Sequence, residues 1–152
     1  MIKSMSHAGL SVSDLARSLS FYRDYLGMQV LMELDIADDR IGRVTGLPGA
    51  KCRIVHLKLG DTVLELFAYS HPSGEPVAAK LRQCDLGFSH IGFEVNDIHA
   101  HLRDLKQRGL EMLGEAVEFR PGVWVAYFRG PDGEVVEFRQ QPPLMVAGII
   151  QA

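Results

Sequence analysis

Hydrophobic and polar positions alternate from residue 7 to 12. His7, Gly9 and Ser11 fall on one side and Ala8, Leu10 and Val12 on the other, which is the period of a half-buried strand. The period then changes. Leu15, Leu19, Tyr22 and Leu26 recur at intervals of four, three and four, the spacing of one helix face, and Asp14 stands where an N-cap belongs. The same switch is written again downstream. His90, Gly92 and Glu94 alternate with Ile91, Phe93 and Val95, and then Ile98, Leu102 and Leu105 follow at helical spacing behind Asp97 until Gly109 ends the run.

This recurrence is an internal repeat, and a repeat constrains architecture more firmly than any local propensity. SHAGLSVSDL at 6–15 lines up with SHIGFEVNDI at 89–98, an offset of 83, so that Ser6/Ser89, His7/His90, Gly9/Gly92, Val12/Val95 and Asp14/Asp97 coincide. The copies also end alike, GDTVLELF at 60–67 against DGEVVEF at 132–138, with Glu65 opposite Glu137 at an offset of 72. The difference of 11 residues is assigned to an extra loop in the first copy, carrying Asp38, Asp39, Arg40 and the turn-forming Leu47-Pro48-Gly49. Each copy has room for two more strands, near 29–34 and 51–59 in the first, and near 112–118 and 122–129 in the second.

Each copy therefore reads β-α-β-β-β. The expected fold class is α+β, with two tandem βαβββ modules forming a curved mixed sheet around a metal-binding cleft. One domain is expected over 1–142, with module one at about 3–72, module two at about 86–142, a linker containing a single helical turn, and a C-terminal tail at 143–152 that offers a modest extra interface.

The metal enters through the side chains that share a face. Glu65 lies with Val63 and Phe67, and Glu137 with Val135 and Arg139, on the side away from Leu64, Leu66, Val136 and Phe138, which face the helix layer. Carboxylates are rarely buried unless they are paired or bound to a metal. A lone strand histidine is ordinarily a hydrogen-bonded structural residue and a lone strand glutamate is ordinarily solvated. Here both recur at equivalent points of a repeat, which points to His7, Glu65, His90 and Glu137 as the ligands of one divalent ion. Imidazole and carboxylate donors leave its identity open among Zn, Ni, Co, Mn and Fe. His56 is assigned to strand packing, His71 to a turn, and His99 and His101 to a solvated helix surface.

Composition narrows the partners. A chain of 152 residues with 47% hydrophobic content suffices for one sizeable core. A net charge of −3, from 16 basic and 19 acidic residues scattered along the chain, offers no stripe for a nucleic acid. Apolar stretches such as 144–150 fall far short of the roughly 20 residues of a membrane span. The N-terminus lacks the pattern of a secretory signal, so the expected location is cytoplasmic. Cys52 and Cys84 are isolated and are read as reduced, small hydrophobes.

Four motifs together resemble a known family. They are H-x-G-L-x-V-x-D-L-x-x-S-x-x-F-Y-x-x-x-L-G-M at 7–28, L-E-L at 64–66, H-I-G-F-E-V-x-D-I at 90–98 and P-D-G-x-x-x-E-F at 131–138. Over roughly 5–140 the chain resembles the vicinal oxygen chelate superfamily of glyoxalases, bleomycin-resistance proteins, extradiol dioxygenases and methylmalonyl-CoA epimerases. That resemblance implies a metal-dependent lyase or isomerase of the glyoxalase or epimerase type. A small-molecule substrate with two adjacent oxygens would use the two ion positions left open by four protein ligands, and proton transfer would run through a metal-stabilised enediolate or enolate. It also implies that Glu137 is the proton-transfer residue, with Glu65 the second candidate. The second module looks closer to the epimerase pattern.

Two alternatives remain. An extradiol-type dioxygenase typically uses two His and one Glu, and the carboxylate at Glu65 counts against it. A non-catalytic drug-binding and resistance protein generally lacks the ligands, and four of them count against that. Arg40, Arg43, Arg53 and Arg139 are candidates to meet a substrate carboxylate or phosphate, although a solvated surface is the ordinary place for any one of them. The family resemblance and the open sheet edges lead to an expected homodimer.

Overall fold

The computed structural model describes residues 1–142, so the tail expected at 143–152 lies outside the described residues. The chain divides into two units, one covering Met1–Val77 and the other beginning at Ala78.

In the first unit β1 (Ala8–Ser11) leads into α1 (Leu15–Leu19), which continues as a wider π-type coil over Ser20–Tyr25. Asp14 caps α1 by accepting the Arg17 backbone N–H at 3.0 Å. There follow β2 (Gln29–Ile36), α2 (Asp39–Thr45), β3 (Lys51–Leu59) and β4 (Thr62–His71). The sheet order is β1-β4-β3-β2, with β1 parallel to β4 and the other pairs antiparallel. In the second unit β5 (Ile91–Glu94), α3 (Ile98–Gln107), β6 (Val117–Arg120), β7 (Val123–Arg129) and β8 (Val135–Gln140) repeat the plan in the order β5-β8-β7-β6. The mixed sheet is thus two four-stranded sheets of the same topology. A single 3-10 turn, Ala78–Lys80, lies in the segment joining the modules.

Each sheet buries one face against its helix, as the alternation requires. Val55, Leu57, Leu64 and Leu66 are buried in the first unit beside the helical Phe21 and Tyr22. Phe128, Val136 and Phe138 are wholly buried in the second, where α3 contributes Ile98, Leu102 and Leu105. Burying each such large apolar side chain is worth roughly 1.5–3 kcal/mol. The Phe128 and Phe138 rings meet edge to face with centroids 4.8 Å apart, the arrangement their quadrupoles favour.

Four details depart from the sequence reading. The α1 stripe keeps Tyr22, which is wholly buried, but Phe21 and Met28 take the other deep positions while Leu15, Leu19 and Leu26 are only half-buried. The cause is the wide coil, in which the Leu26 N–H bonds back five residues to the Phe21 carbonyl at 2.9 Å and rotates the inward face. The insertion is more than a loop. Asp38 caps α2 by accepting the Arg40 N–H at 2.9 Å, Gly46 ends it at φ +72°, and Ile41 packs with Ala50, Cys52 and Ile54. The sixth strand lies at Val117–Arg120, and Met112 contributes only an isolated bridge to Phe128; Val117 and Phe119 alternate with Glu118 and Arg120, but all four residues are exposed and neither face joins the core. His99 is exposed on α3 as expected, with its ring edge-on to Trp124 at 4.7 Å, whereas His101 is half-buried and sets its ring edge-on to Phe138 at 5.4 Å.

Cys52 is buried, Cys84 is exposed, and both are free thiols. Among the described residues no helix is long and apolar enough to cross a membrane. The second-unit core makes a quantitative expectation. Phe138→Ala removes a ring that packs on both Phe128 and His101 and should cost about 3–5 kcal/mol in chemical denaturation, whereas a loss below about 1 kcal/mol would contradict the packing described.

Candidate functional site

The repeat places a histidine and a glutamate side by side in each unit. Parallel pairing sets Gly9 opposite Glu65 and Gly92 opposite Glu137, and each histidine sits two residues before its glycine, on the same face. His7 and His90 therefore occupy the position just before β1 and β5, at the strand entrance and not in its interior, while Glu65 and Glu137 lie well inside β4 and β8. The two glycines keep that face low. A Cβ at Gly92 would already sit 3.9 Å from Glu137 Oε2, and any longer side chain would run over the carboxylate.

The resulting contacts are short. His7 Nε2 lies 3.3 Å from Glu65 Oε2, and His90 Nε2 lies 2.8 Å from Glu137 Oε2. On the other side of each imidazole a serine hydroxyl approaches Nδ1, Ser6 Oγ on His7 and Ser89 Oγ on His90, both at 2.9 Å. The serine hydroxyl at Nδ1 fixes each ring's orientation, and with Nε2 facing a carboxylate oxygen it is the Nε2–H that donates; Nε2 would give up that proton to ligate a metal.

The antiparallel neighbour strand supplies a third group, different in the two units. His56 is the register partner of Glu65, and its Nε2 lies 3.2 Å from Glu65 Oε1. Tyr127 is the register partner of Glu137, and its hydroxyl donates to Glu137 Oε2 at 3.2 Å. Glu65 is buried at 8% exposure with both oxygens engaged, whereas both contacts on Glu137 fall on Oε2. The Tyr127 phenol is held above its ordinary range, first by burial and then by the Glu137 charge and the hydrogen bond it donates.

The donor set can be tested against a metal by simple geometry. Two ligand atoms about 2.1 Å from one ion at a right angle stand about 3.0 Å apart, which is the spacing each His–Glu pair shows. Imidazole and carboxylate suit a borderline divalent ion, and each histidine carries a hydrogen-bonded partner at its far nitrogen. Among the described residues no three His, Cys, Asp or Glu side chains converge as a ready-made metal site. Each unit by itself offers one imidazole and one carboxylate whose chemistry and spacing suit such an ion.

Of the residues singled out from sequence, the structure joins His7 to Glu65 and His90 to Glu137. Arg40 is engaged by Asp38, Arg43 lies 3.7 Å from Asp39 and Arg53 pairs with Glu33, all at the surface of the first unit. Arg139 instead lines a cleft of about 280 Å³ together with Tyr127 and Glu137. His56, assigned to packing from sequence, touches a candidate ligand. Ser6, Ser89 and Tyr127 carry roles that the sequence reading did not give them. The serines were visible as part of the repeat, and His56 was legible from the two-residue turn at Gly60 and Asp61, which makes residue 56 the partner of 65.

Comparison with known proteins agrees with this arrangement. Residues 4–138 match the model of the Glyoxalase/Bleomycin resistance protein/Dioxygenase superfamily. Human mitochondrial methylmalonyl-CoA epimerase is 32% identical over 117 residues, 75% of this chain and 58% of that protein. The chain thus spans less than two thirds of the length of the mammalian epimerases it matches. A lactoylglutathione lyase of Neisseria meningitidis is 32% identical over 142 residues, covering 89% of this chain and 88% of that protein. Among solved structures, a glyoxalase family protein of Bacillus cereus superposes with a TM-score of 0.85 at 23% identity, over 93% of this chain and 97% of that one. Leishmania major glyoxalase I gives 0.64 at 27% identity, over 90% of this chain and 86% of that one. With both repeats inside the matched span and the duplicated topology in the fold, the chain belongs to the glyoxalase/bleomycin resistance protein/dioxygenase superfamily.

Proposed function

We propose that this chain is a metal-dependent lyase or isomerase of the glyoxalase or epimerase type, in which His7, Glu65, His90 and Glu137 together hold one divalent ion. The observation that carries the proposal is the recurrence of one His–Glu pair, at ligand spacing, at equivalent points of both sheets. The names of the epimerase and lyase relatives agree with that class. When bound, such an ion supplies Lewis-acid stabilisation of negative charge growing on a substrate oxygen as a carbon-bound proton leaves.

The protein's own part is to hold that substrate and to move the proton. Glu137 is the better placed of the two carboxylates. Its contacts with His90 and Tyr127 both fall on Oε2, and it lines an open cleft, so Oε1 is the oxygen available to take a proton from carbon and return it. Glu65 is gripped at both oxygens, by His7 and His56, and serves as a fixed ligand. Tyr127 restrains Glu137 in the rotamer that faces the cleft. The substrate is a small molecule with two adjacent oxygens.

The test is a panel of 2-oxo hemithioacetals and 2-substituted acyl thioesters incubated with the protein in deuterated water and read by mass spectrometry. Conversion with deuterium at the transferred carbon and no oxygen uptake is expected, with turnover at least about 10²-fold lower in Glu137→Gln at equal metal content. Oxygen consumption with a catechol, or full turnover in the loaded Glu137→Gln protein, would overturn the assignment. The role of His56 is checked separately by metal titration. His56→Ala frees one Glu65 oxygen and should weaken metal affinity by about 10–100-fold, and an unchanged affinity would remove His56 from the site.

A further inference from the structure

The two units have treated the same surface differently. On the face that carries the ligand glutamate, the next register pair along the first sheet is Ile54 with Phe67, followed by Cys52 with Tyr69. That surface is filled: Ile41 from α2 packs over Cys52 and Ile54, with Phe67 and Tyr69 against the cluster. The equivalent pair in the second sheet is Val125 with Arg139, and among the described residues no counterpart of α2 lies there. The face stays open as the cleft of about 280 Å³, where Arg139 and Arg120 stand with Glu137 among the apolar side chains of Phe119, Val123 and Val125.

Both arginines are exposed, and among the described residues neither has an ion-pair partner. This separates them from Arg23, Arg40, Arg53, Arg82 and Arg108, each of which lies against an aspartate or glutamate. Two guanidiniums without carboxylate partners, set among apolar groups, are suited to an oxyanion that accepts their forked N–H groups. Phe119 is 72% exposed at the same cleft, an aromatic surface for whatever carries the anion.

We infer that the second-unit cleft selects substrates bearing an oxyanion, a carboxylate or a phosphate, held by Arg139 and Arg120 with an adjoining apolar portion against Phe119, Val123 and Val125. The inference rests on the reading of Glu137 as part of a small-molecule site and specifies which small molecules reach it. Arg139 lies two residues beyond Glu137 on the same face of β8, about 7 Å along the strand, so the anion belongs on a part of the substrate away from the carbon that exchanges its proton.

Calorimetric titration of the protein as purified with malonate, inorganic phosphate and malonamide tests this. One of the two anions should bind, malonate identifying a carboxylate site and phosphate a phosphate site, and neutral malonamide should not. The double variant Arg120→Gln, Arg139→Gln should weaken that binding at least 10-fold, as the loss of charge-assisted hydrogen bonds predicts, while Arg43→Gln in the first unit leaves it unchanged. Both substituted side chains are exposed, and unchanged circular dichroism will show that the fold is intact. His90→Ala separates the cleft from the metal. Arginine-dependent binding that survives in His90→Ala supports the inference even if the deuterium experiment fails. Anion binding that persists in the double arginine variant, or is absent from the wild type at about 10 mM, overturns it even if proton exchange is found.

Discussion

The structure depends on one pairing, that of the first strand of each module running parallel to its last. A parallel neighbour cannot be reached by a tight turn, so the chain must cross over through a helix, and the helix then covers one face of the sheet. The uncovered face is left with the residue before the first strand, a histidine, beside the middle of the last strand, a glutamate. That geometry brings Nε2 and a carboxylate oxygen to 3.3 Å in the first unit and 2.8 Å in the second. The antiparallel strand on the other side of the last strand supplies a third group to each carboxylate, His56 to Glu65 and Tyr127 to Glu137.

Duplication explains why the two halves resemble each other, and the insertion explains why their sheet surfaces differ. In the first module α2 closes the sheet face beyond Glu65 with Ile41, so the apolar pairs Cys52–Tyr69 and Ile54–Phe67 are part of a core. In the second the corresponding surface is an open cleft with arginines. The difference extends to the carboxylates themselves. Glu65 is buried and contacted at both oxygens, whereas the contacts on Glu137 fall on Oε2 and its side chain lines the cleft.

Much of this was legible in the sequence because the repeat carried it. The alternation around His7 and His90, the switch to helical spacing behind Asp14 and Asp97, and the offset between Glu65 and Glu137 together imply the module plan and the pairs. Where one side chain's surroundings decided the outcome, the pattern was silent. The π-type coil at Ser20–Tyr25 turns Phe21 inward beside Tyr22 through backbone geometry that no periodicity encodes. The strand at Val117–Arg120 has no buried face to announce it. The partner of Glu137 could not be counted from a turn as that of Glu65 could, because five residues separate Arg129 from Val135. The arginine cleft needed knowledge of what the first module covers and the second leaves bare.

We propose that the two equivalent pairs, His7 with Glu65 and His90 with Glu137, serve a single ion. Elemental analysis of protein purified without added metal, set beside variants that break one pair at a time, tests it most directly. One divalent ion per chain is expected, lost when either His7 or His90 is replaced by alanine. Two ions per chain, or full occupancy retained after the loss of both histidines, would contradict it.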